Sequence, residues 1–583
     1  MVCIATATPV FHNGNMVGIN MMARGRVARA WSAAITAIAT VALLAGCASP
    51  LGGGASGTKQ TASGDDKVQT FVPSSGKSDA TLNIASGSEN REVAQAIQKA
   101  ADESGVTVTM NYMGSLDIMN ALKDGGEQYD AVWPASSMWI SMGDTKHLVK
   151  NQVSTSTTPV VFGIAKSKAV ELGWADASGK TKAVATSEII DAVTAGKLKF
   201  SMTSATQSNS GASAYLAFAT ALTGKDQPLT AADLNDDALR TKLVALLKGV
   251  DRSSGSSDWL KDMVVANPDR FDAMVNYESL VIQANKQLTQ TGHDPLLAVY
   301  PADGIAVSDS PLGYVDRGQK LDTAFADFSK ALQSKDSKLA FERAGRRTGL
   351  GGALTYASDA QVQDAFKADW GIATEASALK TIPLPAADVI RDSLDVYQTA
   401  LRKPSYTIWV VDYSGSMSGE GKDGVVAGLQ AALDPTQAKQ SHIEPSDKDV
   451  NVFIPFASQA SEPIVANGTN TAALLSAASS RNASGGTDIY DGLDKALDNL
   501  PSDVTAYTTA IVLMTDGQSV TSHQSQFEST YRQRGQDLPI FSIMFGDADS
   551  AQLDPLAKMS NAKVFDGRTG DLATVFRTVK GFN

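Results

Sequence analysis

The stretch IWVVDYSGSMSG, residues 408–419, runs from an apolar segment directly into three small oxygen-bearing side chains. Its first four residues are all apolar, which predicts a strand buried on both faces of a sheet. Asp412, Ser414 and Ser416 follow at alternating positions, where that strand ends. Ligands of open α/β sheets bind at the carboxyl ends of the strands. The stretch therefore predicts a doubly wound domain with a site at this edge.

Two later loops carry matching chemistry. NASGGTDIYDGL places Thr487 after two glycines and before a helix, and IVLMTDGQS ends a buried strand with Thr515 and Asp516. Hydroxyl oxygens with few carboxylates and no imidazole suit Mg²⁺ or Mn²⁺ in an octahedral shell that keeps some water. The simpler alternative is that Asp412 and the serines only cap the following helix. Three matching loops in chain order favour the metal site.

This order, Asp-x-Ser-x-Ser, then Thr, then Asp, resembles the metal-ion-dependent adhesion site of von Willebrand factor A-type domains. The resemblance covers residues 404–583, and its five matching positions are Asp412, Ser414, Ser416, Thr487 and Asp516. It implies that the two serines bind the ion directly and that the threonine binds directly or through water. It also implies that the two aspartates act mostly through water and that a protein partner supplies a carboxylate to the vacant position.

The beginning of the chain has the pattern of a secretion signal. Three arginines precede the apolar run 33–44, which is too short to span a bilayer as a helix. The sequence Leu-Ala-Gly-Cys that ends at Cys47 resembles a bacterial lipobox, which implies cleavage before this cysteine and a lipid on its thiol. We therefore predict a signal peptide over residues 1–46, with Met21 or Met22 as the alternative start. An ordinary secretory signal with an incidental cysteine is the alternative.

The composition of the chain bears on where the protein is located and on which partners it can bind. Residues 47–78 are rich in Gly, Ser and Thr, which predicts a flexible tether. The predicted location is the outer face of the cell membrane, with the lipid as the only anchor. The chain has 62 acidic against 50 basic residues. An acidic surface repels nucleic acid, whose binding requires basic patches, so nucleic acid is not a predicted partner.

Residues 79–395 alternate strands with helices, which indicates a second α/β domain. TPVVFGIAKS and LLAVYPADGIAV predict two long buried strands that act as paired crossovers, with a second lobe over about 166–296. This part resembles the type II extracellular solute-binding proteins of bacterial ABC importers. The whole chain resembles bacterial surface lipoproteins that join such a two-lobed domain to an A-type, Rossmann-like domain.

Polar loops of this larger domain are candidate ligand contacts. Hydroxyls and free N–H groups at helix starts suit a small polar or anionic solute. By the resemblance, Tyr277 and Asp303 also face the cleft. The alternatives are that the hydroxyls cap helices, that Glu278 next to the tyrosine is a hinge hydrogen-bonder, and that Asp303 forms a turn. The full set of candidates is Ser86, Ser88, Ser136, Ser137, Ser210, Gly211, Tyr277 and Asp303.

The sequence offers no catalytic motif. The five histidines are scattered, and HExxH, G-x-S-x-G, P-loop and CxxC patterns do not occur. We therefore predict a non-enzyme, namely a lipid-anchored extracellular binding or adhesion protein with a magnesium-dependent site for an acidic protein partner. The alternative is the substrate-binding receptor of an ABC importer with an accessory A-type domain. Hinge closure on a solute could regulate the metal site.

Overall fold

A computed structural model describes residues 67–583, apart from 441, 517, 536–537, 547, 549, 569–571 and 582–583. The predicted signal peptide, both alternative starts, Cys47 and residues 47–66 of the predicted tether lie outside the described residues. No helix within the described part is long and apolar enough to cross a membrane. The described strands form three sheets of six strands each.

The first sheet builds lobe 1 and takes strands from two separate parts of the chain. Its order is β1-β3-β2-β4-β12-β5. Strand β2 is parallel to β3 and β4, whereas β12 runs antiparallel to both of its neighbours. The strands are β1 (Val68–Phe71), β2 (Ala80–Gly87), β3 (Val106–Met113), β4 (Ala131–Trp133), β5 (Val149–Ser154) and β12 (Pro311–Val315).

Strand β1 corrects the predicted extent of the tether. It pairs antiparallel with β3, and Phe71 is 4% exposed in the core of lobe 1. The backbone N–H of Ser74 then donates to the Asp102 carboxylate at 2.7 Å. The tether prediction to residue 78 is therefore wrong over its last part. A four-residue edge strand inside a polar, Gly- and Ser-rich stretch is too short to show the alternating pattern that predicts a strand. Its structure depends on pairing with β3 and on burial of Phe71.

The second sheet builds lobe 2, and it is wider than predicted. Its order is β10-β6-β9-β7-β8, with β11 beside β6. Strand β6 is antiparallel to β9 and β10, so both predicted crossover strands lie inside this sheet. Lobe 2 thus spans 158–308 rather than 166–296. The strands are β6 (Thr158–Ala165), β7 (Phe200–Thr203), β8 (Val250–Ser254), β9 (Ala273–Tyr277), β10 (Leu296–Val299) and β11 (Val307–Ser308).

Thirteen helices of the described part belong to the two lobes, and a fourteenth leads out of them. They are α1 (Ala94–Ser104), α2 (Ser115–Lys123), α3 (Ser137–Gly143), α4 (Lys166–Glu171), α5 (Thr186–Thr194), α6 (Asn209–Thr223), α7 (Ala231–Leu234), α8 (Asp237–Leu247), α9 (Ser257–Ala266), α10 (Glu278–Gln290), α11 (Asp322–Leu332), α12 (Lys335–Arg343), α13 (Ala360–Ala365) and α14 (Ala387–Val396). A π-helical turn over Tyr397–Leu401 continues α14. Ile390, Leu394 and Tyr397 pack into a core that takes side chains from both lobes, such as Trp139 of α3 and Leu216 of α6, so this linker is attached to both lobes.

The third sheet is the doubly wound C-terminal domain that the opening stretch predicts. Its order is β15-β14-β13-β16-β17-β18, and only the edge strand β15 is antiparallel. The strands are β13 (Ser405–Asp412), β14 (Val450–Phe456), β15 (Ile464–Asn467), β16 (Thr508–Thr515), β17 (Ile540–Met544) and β18 (Val564–Asp566). The helices are α15 (Glu420–Leu433), α16 (Pro435–Gln440), α17 (Ala472–Ser480), α18 (Ile489–Asp498), α19 (Gln524–Arg534), α20 (Ser550–Met559) and α21 (Leu572–Gly581).

The central strand of this sheet explains the apolar run in the sequence. All four residues from Ile408 to Val411 are 0% exposed. Trp409 and Val411 pack into the core on one face, and Ile408 and Val410 pack into the core on the other. Because both faces are covered, the strand has no polar side. Its first polar side chain marks the edge where the site lies.

Candidate metal centre

Asp412 ends strand β13 and is 1% exposed. One carboxylate oxygen accepts a hydrogen bond from the N–H of Ser414 at 2.7 Å, and the other accepts from the Thr515 hydroxyl at 2.6 Å. Burial raises the pKa of Asp412, and the negative charge of Asp516 raises it further. Both oxygens are therefore engaged in fixing the loop that follows β13 and in joining it to the end of β16.

Ser414, Ser416 and Asp516 form a chain of oxygen atoms beside this carboxylate. The two serine Oγ atoms lie 3.0 Å apart, and Ser416 Oγ donates to Asp516 Oδ1 at 2.9 Å. Ser416 is exposed, whereas Ser414 is 1% and Asp516 is 8% exposed. The parallel pairing of β13 with β16 brings the two loops to the same edge of the sheet. Three of the predicted side chains thus meet, with one of them open to solvent.

Thr487 lies half-buried in a loop that is attached to the same edge. The N–H of Gly415 donates to the carbonyl of Gly485 at 3.0 Å, and the Thr487 carbonyl accepts from the N–H of Val520 at 3.1 Å. Gly485 has φ +91°, a conformation that favours glycine. The glycines of this loop therefore let its backbone approach the Asp-x-Ser-x-Ser loop closely.

The oxygen chain fits a small hard cation. Mg²⁺ takes octahedral ligands at about 2.0–2.1 Å, which places neighbouring ligand oxygens about 2.9 Å apart. The 3.0 Å between Ser414 Oγ and Ser416 Oγ is compatible with this edge length and is also an ordinary hydrogen-bond length. The described residues contain no group of three or more His, Cys, Asp or Glu side chains that could hold a metal. The atoms available to bind an ion are therefore mainly hydroxyl oxygens, unlike those of a carboxylate-rich or imidazole site.

In the larger domain, the structure uses several predicted ligand hydroxyls inside the scaffold. Ser86 is buried and accepts from the Asn90 side chain at 2.9 Å. Ser136 caps α3 by accepting from the N–H of Met138 at 3.4 Å. Ser210 is buried and lies within 2.8 Å of Thr203 Oγ1 and 2.7 Å of Ser257 Oγ. Only the Ser136 contact is the helix cap of the alternative, whereas Ser86 and Ser210 are used in side-chain contacts within the scaffold.

The remaining candidates differ in how accessible they are. A Cβ at Gly211 would lie 2.1 Å from the Thr203 carbonyl, so close packing requires glycine there. The backbone of Ser137 donates to Asp309, and the Asp303 carboxylate accepts from the N–H of Thr186 at the start of α5. Two further candidates are Tyr277, which is buried and accepts from Asn209 at 2.9 Å, and Ser88, which is half-buried and lines a cavity of about 250 Å³.

A group of buried charges, located where Ser279 of lobe 2 donates to Glu92 of lobe 1, was not predicted from the sequence. Arg346 is 1% exposed, pairs with Glu92, and donates to the Glu89 carbonyl at 2.8 Å. The Glu89 side chain is buried, and its Oε1 has no hydrogen-bond partner among the described residues. Burial raises the pKa of Glu89 to about 7; the Arg346 charge opposes this, and Glu92 and Asp258 add to it. The adjacent arginines of AGRRTG were the only signal in the sequence.

Glu278 has a structural partner of its own. It forms a bidentate pair with Arg347, at 2.8 and 2.9 Å, and both side chains are 0% exposed. Arg347 also donates to the Gly352 carbonyl at 2.9 Å. This agrees with the hydrogen-bonding alternative for Glu278, because a fully paired buried carboxylate has little left to offer a solute.

Two family models match the chain. A model described as a bacterial extracellular solute-binding protein matches residues 82–347, and a model described as a von Willebrand factor type A domain matches residues 407–563. The chain joins a solute-binding domain to a von Willebrand factor A domain. The predicted fold class is confirmed.

Solved structures match parts of the chain at low identity and with low TM-scores. The periplasmic binding protein AfuA from Actinobacillus pleuropneumoniae is 14% identical, with 55% of this chain and 98% of that chain covered and a TM-score of 0.41. The sulfate-binding protein SubI from Mycobacterium tuberculosis is 18% identical, with 53% and 93% covered and a TM-score of 0.36. A von Willebrand factor type A protein from Catenulispora acidiphila is 19% identical, with 31% and 43% covered and a TM-score of 0.26. The search of curated proteins found no match.

The A domain contacts both lobes of the solute-binding domain. Arg577 on α21 forms an ion pair with Asp117 at the start of α2 in lobe 1. On lobe 2, Ser253 donates to the Gly581 carbonyl at 3.2 Å, and Arg252 donates to the Ser560 carbonyl at 3.3 Å. The A domain therefore bridges the two lobes, and it also supplies part of the wall of the cavity that Ser88 lines.

Proposed function

We propose that this protein is an extracytoplasmic binding protein whose A domain holds Mg²⁺ or Mn²⁺ and uses it to capture a carboxylate of a protein partner. The observation that carries this proposal is the oxygen chain of Ser414, Ser416 and Asp516 at one edge of the sheet, in which the two proposed ligand hydroxyls lie 3.0 Å apart and Ser416 is exposed. With only two aspartates nearby, a bound ion stays electron-poor, which favours an acidic group from outside.

Each residue of the centre has a role in this proposal. Ser414 and Ser416 bind the ion directly, and Thr487 binds it directly or through water. Asp516 positions Ser416, and Asp412 positions the loop through Ser414 and Thr515. The ion itself supplies the positive charge that attracts the partner's carboxylate. Cleavage before Cys47 and lipidation of this residue, which rest on the lipobox alone, would hold the protein on the outer face of the membrane.

The solute-binding domain would take a small polar or anionic solute between its lobes. Because the A domain is attached to both lobes, opening of the cleft must break contacts on one side, such as the pair of Arg577 with Asp117. Solute binding and the position of the A domain are then linked, and such linkage is reciprocal. The alternative, an importer receptor with an accessory A domain, is supported by the family match over 82–347.

The test uses Mn²⁺ as a magnetic probe of the full chain. Electron paramagnetic resonance counts the bound ions, and water proton relaxation reports the waters left on them. We expect one Mn²⁺ site that is lost in Ser416→Ala, and we expect acetate to lower the relaxivity because its carboxylate displaces a water. Equal Mn²⁺ binding by the variant would contradict the proposed centre. Unchanged relaxivity at high acetate would contradict carboxylate capture and would favour the importer-receptor hypothesis.

A further inference from the structure

A small cavity lies where lobe 2, the linker and the A domain meet. Its volume is about 40 Å³. Lobe 2 contributes Gln207 and Ser253 to the wall, the linker contributes Arg402 and Lys403, and the A domain contributes residues at the start of β13 and the end of α21. The cavity is separate from the candidate metal centre, since the two share no residue.

Four donors in this wall have no hydrogen-bond partner within the described part of the chain. They are Gln207 Nε2, Arg402 Nε, Ser405 Oγ and Lys580 Nζ, and all four atoms are buried. Gln207 is only 7% and Ser405 only 3% exposed. Roughly nine tenths or more of buried polar groups in folded proteins are satisfied. All four residues line the same small space, where a single acceptor can serve them together.

The charge around the cavity has an excess of cations. Arg402 pairs with the fully buried Asp449, whose carboxylate also accepts from the N–H of Ser405 at 2.7 Å. Lys580 is packed with its ammonium 5.9 Å from the Trp409 ring, and burial lowers its pKa to about 8. Lys403 is a third cation in the wall. Asp449 thus faces two cations, Arg402 and Lys580, whereas the acidic groups that act on Lys403 are Asp251 and Asp503.

Other acidic groups do not correct this excess inside the cavity. Glu444 acts on Arg402 through its charge, but it does not line the wall, and burial raises the pKa of its carboxyl. Asp251 and Asp503 act on Lys403, and they are also absent from the wall. Asp449 is the acidic group that acts on Lys580, and it is already paired with Arg402, so two buried cations share one carboxylate, which is costly. The cavity therefore lacks a negative charge as well as an acceptor.

We propose that this cavity binds a small inorganic oxyanion of the phosphate or sulfate class. One water needs roughly 10–15 Å³ of such volume, so about 40 Å³ holds a group several times larger. Water would satisfy the donors but would leave the charge uncompensated. A tetrahedral oxyanion accepts hydrogen bonds from Lys580, Arg402, Ser405 and Gln207 together and supplies the missing charge.

The bound oxyanion would join three parts of the chain. Gln207 lies in the polar loop before α6 of lobe 2, Arg402 follows the π-helical turn of the linker, and Lys580 lies in the last turn of α21. Occupancy would therefore strengthen the docking of the A domain on lobe 2. Removal of the oxyanion would leave cations facing one another across this interface and weaken it.

The test measures binding of inorganic phosphate and of sulfate to the full chain, by calorimetry and thermal melting. EDTA is present and other oxyanions are absent. The variant is Lys580→Met, which keeps the shape of the side chain and removes a buried charge, so we expect it to fold. The matched control is Lys242→Met, at an exposed position of α8.

We expect both oxyanions to raise the melting temperature of the wild type and of the control. We expect affinity at least tenfold weaker in Lys580→Met, and a smaller loss in Ser405→Ala. Phosphate bound in the solute cleft would give equal affinities in the wild type and in Lys580→Met, and that result would overturn the assignment. Unchanged melting of the wild type in both oxyanions would overturn it as well.

Discussion

The substitution Ser416→Ala distinguishes a loss of metal binding from a loss of loop stability. Ser416 is exposed, and its hydroxyl makes contacts of 3.0 Å to Ser414 and 2.9 Å to Asp516. A net hydrogen bond contributes about 1 kcal/mol, and less where water can replace it. In the absence of metal the variant should therefore lose about 1 kcal/mol. For a domain of this size that is a fall of about 2–4 °C in melting temperature.

Added metal should have a much larger effect on the wild type. An ion that binds only the native state stabilises it by about 2.7 kcal/mol at a hundredfold excess over Kd. By the same scaling, the transition of the A domain should rise by about 5–11 °C. The variant should not show this rise, because a direct ligand is gone.

The assay is calorimetric melting of the full chain in EDTA and in Mg²⁺, following the transition of the A domain. The control is Ser418→Ala, an exposed serine two residues further along the same loop. We expect the control to respond to Mg²⁺ as the wild type does. If Ser416→Ala keeps the full response, the serine is not a ligand, and the loops would only cap helices.

Three further results are expected. Arg347→Met leaves the buried Glu278 carboxylate without its cation, so the free energy of unfolding of the solute-binding domain, measured in urea, should fall by about 3–5 kcal/mol. Adding Glu278→Gln should restore part of this loss. A loss under about 1 kcal/mol would contradict a buried ion pair. The pKa of Glu89 in the folded state, about 7, lies above its ordinary 4.5, so the contribution of this carboxyl to stability is complete below pH 4.5 and is lost as the pH rises through 7. The free energy of unfolding should therefore fall over this pH range in the wild type and not in Glu89→Gln. Arg577→Gln and Asp117→Asn should each speed hydrogen exchange at the start of α2, and no change in either would show that this ion pair does not hold lobe 1 to the A domain.

Local pattern was sufficient for the C-terminal domain. The apolar run from 408 to 411 predicted a strand covered on both faces, and its side chains are fully buried. The side chains at the ends of β13 and β16 were predicted to meet because parallel strands end at the same edge of a sheet. Of this centre, the role of the Thr515 hydroxyl in holding Asp412 was not predicted, since a hydroxyl at a strand end carries no signal of its partner.

The solute-binding domain was predicted less well. The two long apolar strands were found, but the sheet to which they belong was not, because an apolar run is equally suited to either sheet. The edge strand β1 was assigned to the tether for a related reason: its pairing with β3 joins segments about 40 residues apart. Several of the serines predicted for the cleft turned out to have partners within the scaffold.

The sequence by itself determined the α/β class and the order of the two domains, and it predicted the residues of the candidate metal centre. These follow from side-chain periodicity and from the chemistry of single loops, both of which are local. Only the tertiary structure decided which buried charges meet. Arg346 and Glu92 are 254 residues apart, and Arg577 and Asp117 are 460 residues apart. A charged residue in a sequence shows that it needs a partner or water, but the chain must fold before the partner is chosen.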